Sequence, residues 1–75
     1  MTISVFIADD HAIVRDGLRA LLESQQDIEV VGQASDGREA VRRISELEPD
    51  VAILDIGMPE LNGIEAADQI AENTP

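Results

Sequence analysis

The chain has 75 residues, a net charge of −11, an apolar fraction of 44% and no cysteine. A domain of this size buries only about 60% of its unfolded surface, so its stability is marginal, and without cysteine it has no disulfide or thiolate metal site. The strong negative charge argues against binding to a nucleic-acid backbone. With no basic leader segment and no apolar run of membrane-spanning length, we expect a soluble, cytoplasmic protein that binds neither membranes nor nucleic acid.

The first predicted element is a strand over Ile3–Ala8, which is apolar on both faces, as is typical of a central strand in a parallel sheet. A helix is predicted from His11 to about Ser24, with Asp10 as its N-cap. Gly17 within this helix costs roughly 1 kcal/mol relative to alanine, which indicates close packing at that point. The apolar residues at helical spacing are Val14, Leu18, Leu21 and Leu22.

A second strand is predicted over Ile28–Ala34. It is less uniformly apolar than the first, so we expect it nearer to an edge of the sheet. Asp36 followed by Glu39 resembles a capping box at the start of a second helix, which Pro49 ends. The apolar stripe of this helix consists of Ala40, Val41, Ile44 and Leu47.

A third strand is predicted over Val51–Leu54, followed by a loop that contains Gly57, Pro59 and Gly63. Asn62 and Glu65 are predicted to cap a last helix. Its apolar residues are Ile64, Ala67, Ile70 and Ala71. The resulting order is βαβαβα, which predicts an α/β fold with a parallel sheet and right-handed crossovers.

Aspartates stand at the ends of two predicted strands. Asp9 and Asp10 follow the first strand, and Asp55 follows the third. In open α/β sheets ligands bind at the carboxyl ends of the strands, and clustered carboxylates suit Mg²⁺, which takes oxygen ligands. For an isolated pair, the commoner role is a helix cap beside a solvated strand end. The third acid at the same edge favours a site instead.

The segment Asp55-Ile56-Gly57-Met58-Pro59-Glu60-Leu61-Asn62-Gly63 is the most specific motif in the chain. Together with the two leading acids and the βα order, it resembles the receiver domain of bacterial response regulators. The segments Ala8-Asp9-Asp10-His11 and Val14-Arg15-Asp16-Gly17-Leu18-Arg19-Ala20-Leu21-Leu22 resemble its NarL/FixJ-type branch, which usually carries a helix-turn-helix output domain. The resemblance implies a flavodoxin-like (receiver) parallel sheet, truncated to βαβαβα. Residues 1–75 would be the N-terminal three βα units, with no effector domain present.

The resemblance also implies a role for each matching residue. Asp55 matches the phosphoacceptor, which takes a phosphoryl group from a phosphohistidine of a sensor histidine kinase. Asp10 matches the principal Mg²⁺ ligand, assisted by Asp9, and Gly57 would add its backbone carbonyl. Met58, Pro59 and Gly63 would shape the loop. The protein would then be a signalling module of a two-component system rather than an enzyme, and it would control a DNA-binding output in the full-length protein.

Receivers have five strands. They carry a Ser or Thr after the fourth, an aromatic switch residue on the fifth and a phosphate-binding Lys after the fifth. None of these positions exists within the 75 residues, which contain no lysine. Since phosphoryl transfer depends on such fixed cationic groups, we expect the site to bind Mg²⁺ but to be phosphorylated slowly or not at all. We also expect a homodimer through the third strand, whose exposed apolar edge would pair with another chain.

Other polar residues have simpler interpretations. His11 stands beside two acids at a helix start, so a solvated or hydrogen-bonded imidazole is expected, with no catalytic role. A basic cluster on the second helix is expected to be a solvated face that balances nearby acids; it consists of Arg38, Arg42 and Arg43.

Two alternatives stay open at the level of sequence. The first is a Mg²⁺-dependent aspartyl phosphatase or phosphotransferase. In those enzymes a second acid follows two residues after the nucleophile, and Ala12 at that place after Asp10 disfavours this assignment. The second is an inactive dimerisation fragment. Metal binding that is lost when Asp10 and Asp55 are changed to Asn would separate a retained site from such a fragment.

Overall fold

The computed structural model describes residues 2–55, 57, 68 and 70. The elements in chain order are β1 (Ile3–Ala8), α1 (Ala12–Glu23), β2 (Ile28–Ala34), α2 (Gly37–Leu47) and β3 (Val51–Leu54). The three predicted strands and the first two predicted helices are therefore confirmed. Of the predicted last helix, Asp68 and Ile70 are helical. Its other residues, including the predicted caps Asn62 and Glu65, lie outside the described residues.

The strands form one parallel sheet in the order β2-β1-β3. As predicted, β1 is central, and it is buried from Val5 to Ala8. Within the described part of the chain β2 lies at an edge, also as predicted. Ala8 pairs with Ala34 of β2 and with Leu54 of β3, so the carboxyl ends of all three strands are level with one another.

The core lies between the sheet and α2. Phe6 is fully buried and contacts a cluster that consists of Ala8, Ala34, Ala40 and Ile44, with Leu54 and Ile70 packed against it. Full burial of a side chain such as Phe6 contributes roughly 1.5–3 kcal/mol. Gly32 of β2 leaves room for this ring, because a Cβ at that position would lie 2.9 Å from Phe6 Cε2.

Local signals set both ends of α2. Asp36 is the N-cap, and its Oδ1 accepts a 2.8 Å hydrogen bond from the Glu39 N–H, which confirms the aspartate half of the predicted capping box. At the other end, Pro49 disfavours the right-handed helical conformation in the residue before it. Glu48 accordingly adopts a left-handed conformation with φ 49°, and the helix ends at Leu47.

Two predictions about α1 are wrong. Its N-cap residue is His11 instead of Asp10, and no side chain caps it, because the helix starts one residue later than expected. Close packing at Gly17 is also absent, since a Cβ there would have no atom within 4 Å. The half-buried residues of α1 are Arg15, Leu18 and Leu22. With these residues facing the sheet, Gly17 faces solvent, and Val14 and Leu21 are 44% and 66% exposed.

The predicted basic cluster of α2 divides into two kinds of residue. Arg38 and Arg42 are exposed, as expected. Arg43 belongs to the fold, because its Nη1 donates to the backbone carbonyl of Gln33 at 2.9 Å and its guanidinium lies 5.9 Å from the centre of the Phe6 ring. Arg43 therefore covers part of the outer edge of β2.

A side-chain link joins distant segments at the amino-terminal end of the sheet. Asp50 Oδ2 accepts hydrogen bonds from Ser4 N–H at 2.9 Å and from Ser4 Oγ at 3.1 Å, and Ser4 Oγ accepts one from the Asp50 N–H. These bonds fix the entry to β3 beside β1. Among the described helices, none is long and apolar enough to cross a bilayer.

Candidate metal centre

The sheet brings the predicted acids together by its register. Ala8 and Leu54 are paired, so the next residues, Asp9 and Asp55, leave the sheet side by side. Two backbone hydrogen bonds continue the ladders past the strands: Asp9 N–H donates to Ala34 O at 3.1 Å, and Asp55 N–H donates to Ala8 O at 2.9 Å. The main chain at both acids is thus anchored to a neighbouring strand.

Four side chains meet at this edge. Asp9, Asp10, His11 and Asp55 each offer one ligand atom, and these atoms all lie within 4.8 Å of one another. Two oxygens bound to one Mg²⁺ lie at most about 4.2 Å apart, because each metal–oxygen distance is about 2.1 Å. Small side-chain adjustments, or a water in place of one ligand, would bring the three carboxylates to that spacing. The oxygen-rich donor set therefore fits Mg²⁺.

His11 lies against two acids of this cluster. Its Nδ1 lies 3.0 Å from Asp9 Oδ1 and 2.9 Å from Asp10 Oδ1. The hydrogen bond to Asp9, followed by the negative charge of Asp10, raises the pKa of the imidazole. These contacts agree with the expected hydrogen-bonded imidazole, although the sequence did not indicate that the ring lies between two of the acids.

The backbone also stabilises Asp9 in its charged form. The His11 N–H donates to Asp9 Oδ1 at 2.9 Å, and this bond is the main cause that lowers the pKa of Asp9. The imidazole of His11 and the positive charge of Arg15 act in the same direction, whereas partial burial acts against them. A carboxylate that stays ionised is the form that binds a metal ion.

Gly57 turns the chain back toward Asp55. Its N–H donates to Asp55 Oδ1 at 3.2 Å, which holds the carboxylate of Asp55 at the end of β3. The role of its backbone carbonyl as a metal ligand stays a prediction. The other predicted loop residues, Met58, Pro59 and Gly63, lie outside the described residues.

Arg15 was not singled out from the sequence. It lies on the half-buried face of α1, and its Nη1 donates to the backbone carbonyl of Asp9 at 2.6 Å. The only sequence signal for this contact is its position one helical turn after His11, which directs the side chain back toward the loop between β1 and α1.

Chemically, the cluster brings the carboxylate of Asp55 beside residues that could hold a cation. A carboxylate can attack phosphorus to form an acyl phosphate, and the neighbouring acids could hold a divalent cation, which would offset the charge repulsion in such a reaction. Asp55 is half-buried and follows β3, which is paired with β1, the strand that Asp9 and Asp10 follow. Of the acids in the cluster, it is the one that follows a different strand from the others.

Comparisons with known proteins agree with this geometry. The family model described as "Response regulator receiver domain" matches residues 5–75. The response regulator protein VraR of Staphylococcus aureus is 44% identical over 75 residues, which are 100% of this chain and 36% of VraR. The chain thus spans about a third of the length of the curated relatives it matches.

Solved structures show the same fold. The response regulator domain of Thermotoga maritima CheB superposes with a TM-score of 0.97 and 48% identity, covering 100% of this chain and 56% of that domain. A DNA-binding response regulator of the LuxR family from Staphylococcus aureus superposes with a TM-score of 0.87 and 33% identity, covering 93% of this chain and 58% of that one.

Proposed function

Because this chain belongs to the family of response regulator receiver domains of two-component systems, we propose that Asp55 is its phosphoacceptor. The observation that carries the proposal is the meeting of Asp55 with Asp9 and Asp10 at the carboxyl edge of the sheet, with ligand atoms within 4.8 Å. We further propose that these three carboxylates hold Mg²⁺ together with the backbone carbonyl of Gly57. When bound, the ion offsets the repulsion between the carboxylate and the phosphoryl oxygens.

The residues of the chain act by position and charge. A carboxylate oxygen of Asp55 attacks the phosphorus of a phosphohistidine, and an O–P bond forms as the N–P bond breaks. The Gly57 N–H and the bond from the Asp55 N–H to Ala8 O hold the nucleophile at the strand end during this step. The carboxylates of Asp9 and Asp10 would hold the cation beside Asp55.

The test is phosphorylation by a small donor, followed by intact mass measurement. The chain is incubated with Mg²⁺ and acetyl phosphate, and the mass of one added phosphoryl group is followed in time. We expect slow labelling, because the 75 residues contain no lysine to stabilise the transferring group. Asp55→Asn abolishes the labelling, and omission of Mg²⁺ suppresses it.

A matched control removes the same charge at the opposite end of the sheet. Asp27 lies just before β2, where its carbonyl accepts a bond from the Ile3 N–H. Asp27→Asn should be labelled like the unchanged chain. Equal labelling of Asp55→Asn contradicts the assignment of the phosphoacceptor, and rapid stoichiometric labelling of the unchanged chain contradicts the expected impairment.

The wider role follows from the same assignment. We propose that the protein acts in the cytoplasm, that a sensor histidine kinase is the phosphodonor and that the full-length protein couples the receiver to a DNA-binding output, as the name of the LuxR-family neighbour suggests. The chain would act as a signalling module and not as an enzyme on a separate substrate. Phosphotransfer from a purified kinase to this chain, compared with the Asp55→Asn variant, tests the partner.

We also propose that β3 pairs with the β3 strand of a second copy. In the described part of the chain β3 is bonded to β1 alone, and Val51 is 47% exposed. Exposed apolar strands pair with other chains. Light scattering across a concentration series should show a dimer, and Ala52→Lys should shift the equilibrium toward monomer. A monomer at all concentrations overturns this proposal.

A further inference from the structure

We infer that Arg15 is a positioning residue for the metal centre, and this inference rests on the proposed function. The guanidinium does not join the carboxylate cluster. It donates to the backbone carbonyl of Asp9 at 2.6 Å, which is the carbonyl of the peptide that links Asp9 to Asp10. The residue thus acts on both proposed ligands of β1 through the main chain between them.

The peptide unit before Asp9 is held independently by the sheet. The Asp9 N–H donates to Ala34 O, so the chain is anchored on the side of β2. Beyond Asp9 the strand has ended, and its carbonyl has left the β ladder before α1 begins at Ala12. Arg15 supplies the hydrogen bond that this carbonyl would otherwise need from water. Because hydrogen bonds hold both the N–H and the carbonyl of Asp9, they fix the backbone conformation from which the two carboxylates project.

The environment of Arg15 suits this role. With Leu18 and Leu22 it forms the half-buried stripe of α1, so the side chain is held against the sheet. A charge-assisted bond to a carbonyl is stronger than a neutral one. Arg15 therefore stabilises the conformation of the β1–α1 connection in which both carboxylates face Asp55.

If Arg15 positions the metal ligands, its replacement should weaken Mg²⁺ binding even under conditions where the variant remains folded. Residues that orient metal ligands typically change metal affinity 10–100-fold when they are replaced, and we expect Arg15→Met to weaken Mg²⁺ binding roughly ten-fold. Arg15→Lys keeps the charge and one donor, so it should bind with intermediate affinity. A residue that only stabilised the fold would leave the affinity of the folded protein unchanged.

The experiment is a calorimetric titration of this chain with Mg²⁺, at a temperature where circular dichroism shows every variant to be folded. Arg19→Met is the matched control. Arg19 lies one turn further along α1 and pairs with Glu23 at 3.0 Å, away from the acids. Its replacement should leave the affinity for Mg²⁺ unchanged. The ¹³C resonance of the Asp9 carbonyl, recorded without metal, should shift in Arg15→Met and stay in place in Arg19→Met.

The possible failures are distinguishable. If the unchanged chain binds Mg²⁺ and Asp10→Asn abolishes binding, while Arg15→Met binds with full affinity, the positioning role is wrong and the metal centre stands. If the unchanged chain does not bind Mg²⁺, or if Asp10→Asn and Asp55→Asn bind as well as it does, the metal centre is wrong and the role of Arg15 falls with it. Equal loss of affinity in Arg15→Met and Arg19→Met also overturns the inference, because the effect would then be one of helix charge alone.

Discussion

The contact between Gly32 and Phe6 predicts opposite effects for the same substitution at two glycines. A Cβ at Gly32 would lie 2.9 Å from Phe6 Cε2, 3.0 Å from Phe6 Cδ2 and 3.0 Å from Leu47 Cδ1. Leu47 is 42% exposed and can move aside, whereas the Phe6 ring is fully buried. Overpacking of this kind costs about 1–3 kcal/mol, and the gain from replacing a strand glycine by alanine offsets about 0.5–1 kcal/mol. The middle values of these two ranges differ by about 1 kcal/mol, so Gly32→Ala should destabilise the chain by about that amount.

Gly17 provides the matched control. A Cβ there would meet nothing within 4 Å, and the residue lies inside α1. Gly17→Ala should stabilise the chain by about 1 kcal/mol through helix propensity alone. Thermal unfolding followed by circular dichroism should show Tm falling by roughly 4–8 °C for Gly32→Ala and rising by roughly 4–8 °C for Gly17→Ala. If both substitutions raise Tm, Phe6 does not fill the space above β2 and the packing described for the core is incorrect.

Three further predictions concern other parts of the structure. The hydrogen bonds from Ser4 lower the pKa of Asp50. A carboxyl group with a lowered pKa stabilises the fold above its unfolded pKa, and this stabilisation is lost as the pH falls through its folded pKa. Asp50→Asn should therefore lower Tm at neutral pH, and the difference in Tm between the variant and the unchanged chain should vanish in acid. A difference that grows in acid would contradict the link. Loss of the N-cap in Asp36→Ala should cost about 1 kcal/mol in urea unfolding, with no change in the slope m, and an unchanged midpoint would show that the cap does not stabilise α2. Arg43→Met should lower the free energy of unfolding by about 1 kcal/mol, because it removes the hydrogen bond to the backbone carbonyl of Gln33 in β2. Arg42 is exposed, so Arg42→Met should have no measurable effect on stability. Equal losses of stability in the two variants would show that only the charge matters.

The arrangement of the strands could be predicted because local pattern and topology agree. β1 is apolar on both faces, and a strand of that kind is stable only when other parts of the fold cover both of its faces. Once β1 and β3 are neighbours in a parallel sheet, the acids that follow them must share one edge. The meeting of Asp9 with Asp55 therefore needed no knowledge of side-chain conformation.

The details that escaped prediction depend on three-dimensional packing. The face of α1 that packs against the sheet consists of Arg15, Leu18 and Leu22. Close packing at Gly17 was expected from the presence of a glycine inside a helix, and the residue type does not show which face it lies on. A shift of one residue at the start of the helix likewise exchanged Asp10 for His11 as the N-cap.

Side-chain contacts between distant parts of the chain could not be predicted from the sequence either. Ser4 and Asp50 are 46 residues apart, and their hydrogen bonds follow from the register of β1 against β3. The contact of Arg15 with the Asp9 carbonyl depends on where α1 rests on the sheet. No spacing in the sequence specifies the contact of Ser4 with Asp50, and the position of Arg15 one helical turn after His11 is the only signal for the other contact.

A crystal structure of this chain grown with Mg²⁺ tests the central claim most directly. One cation should lie about 2.1 Å from carboxylate oxygens of Asp10 and Asp55, with Asp9 bound directly or through water. A cation bound elsewhere, or Asp55 turned away from the two acids of β1, would contradict it.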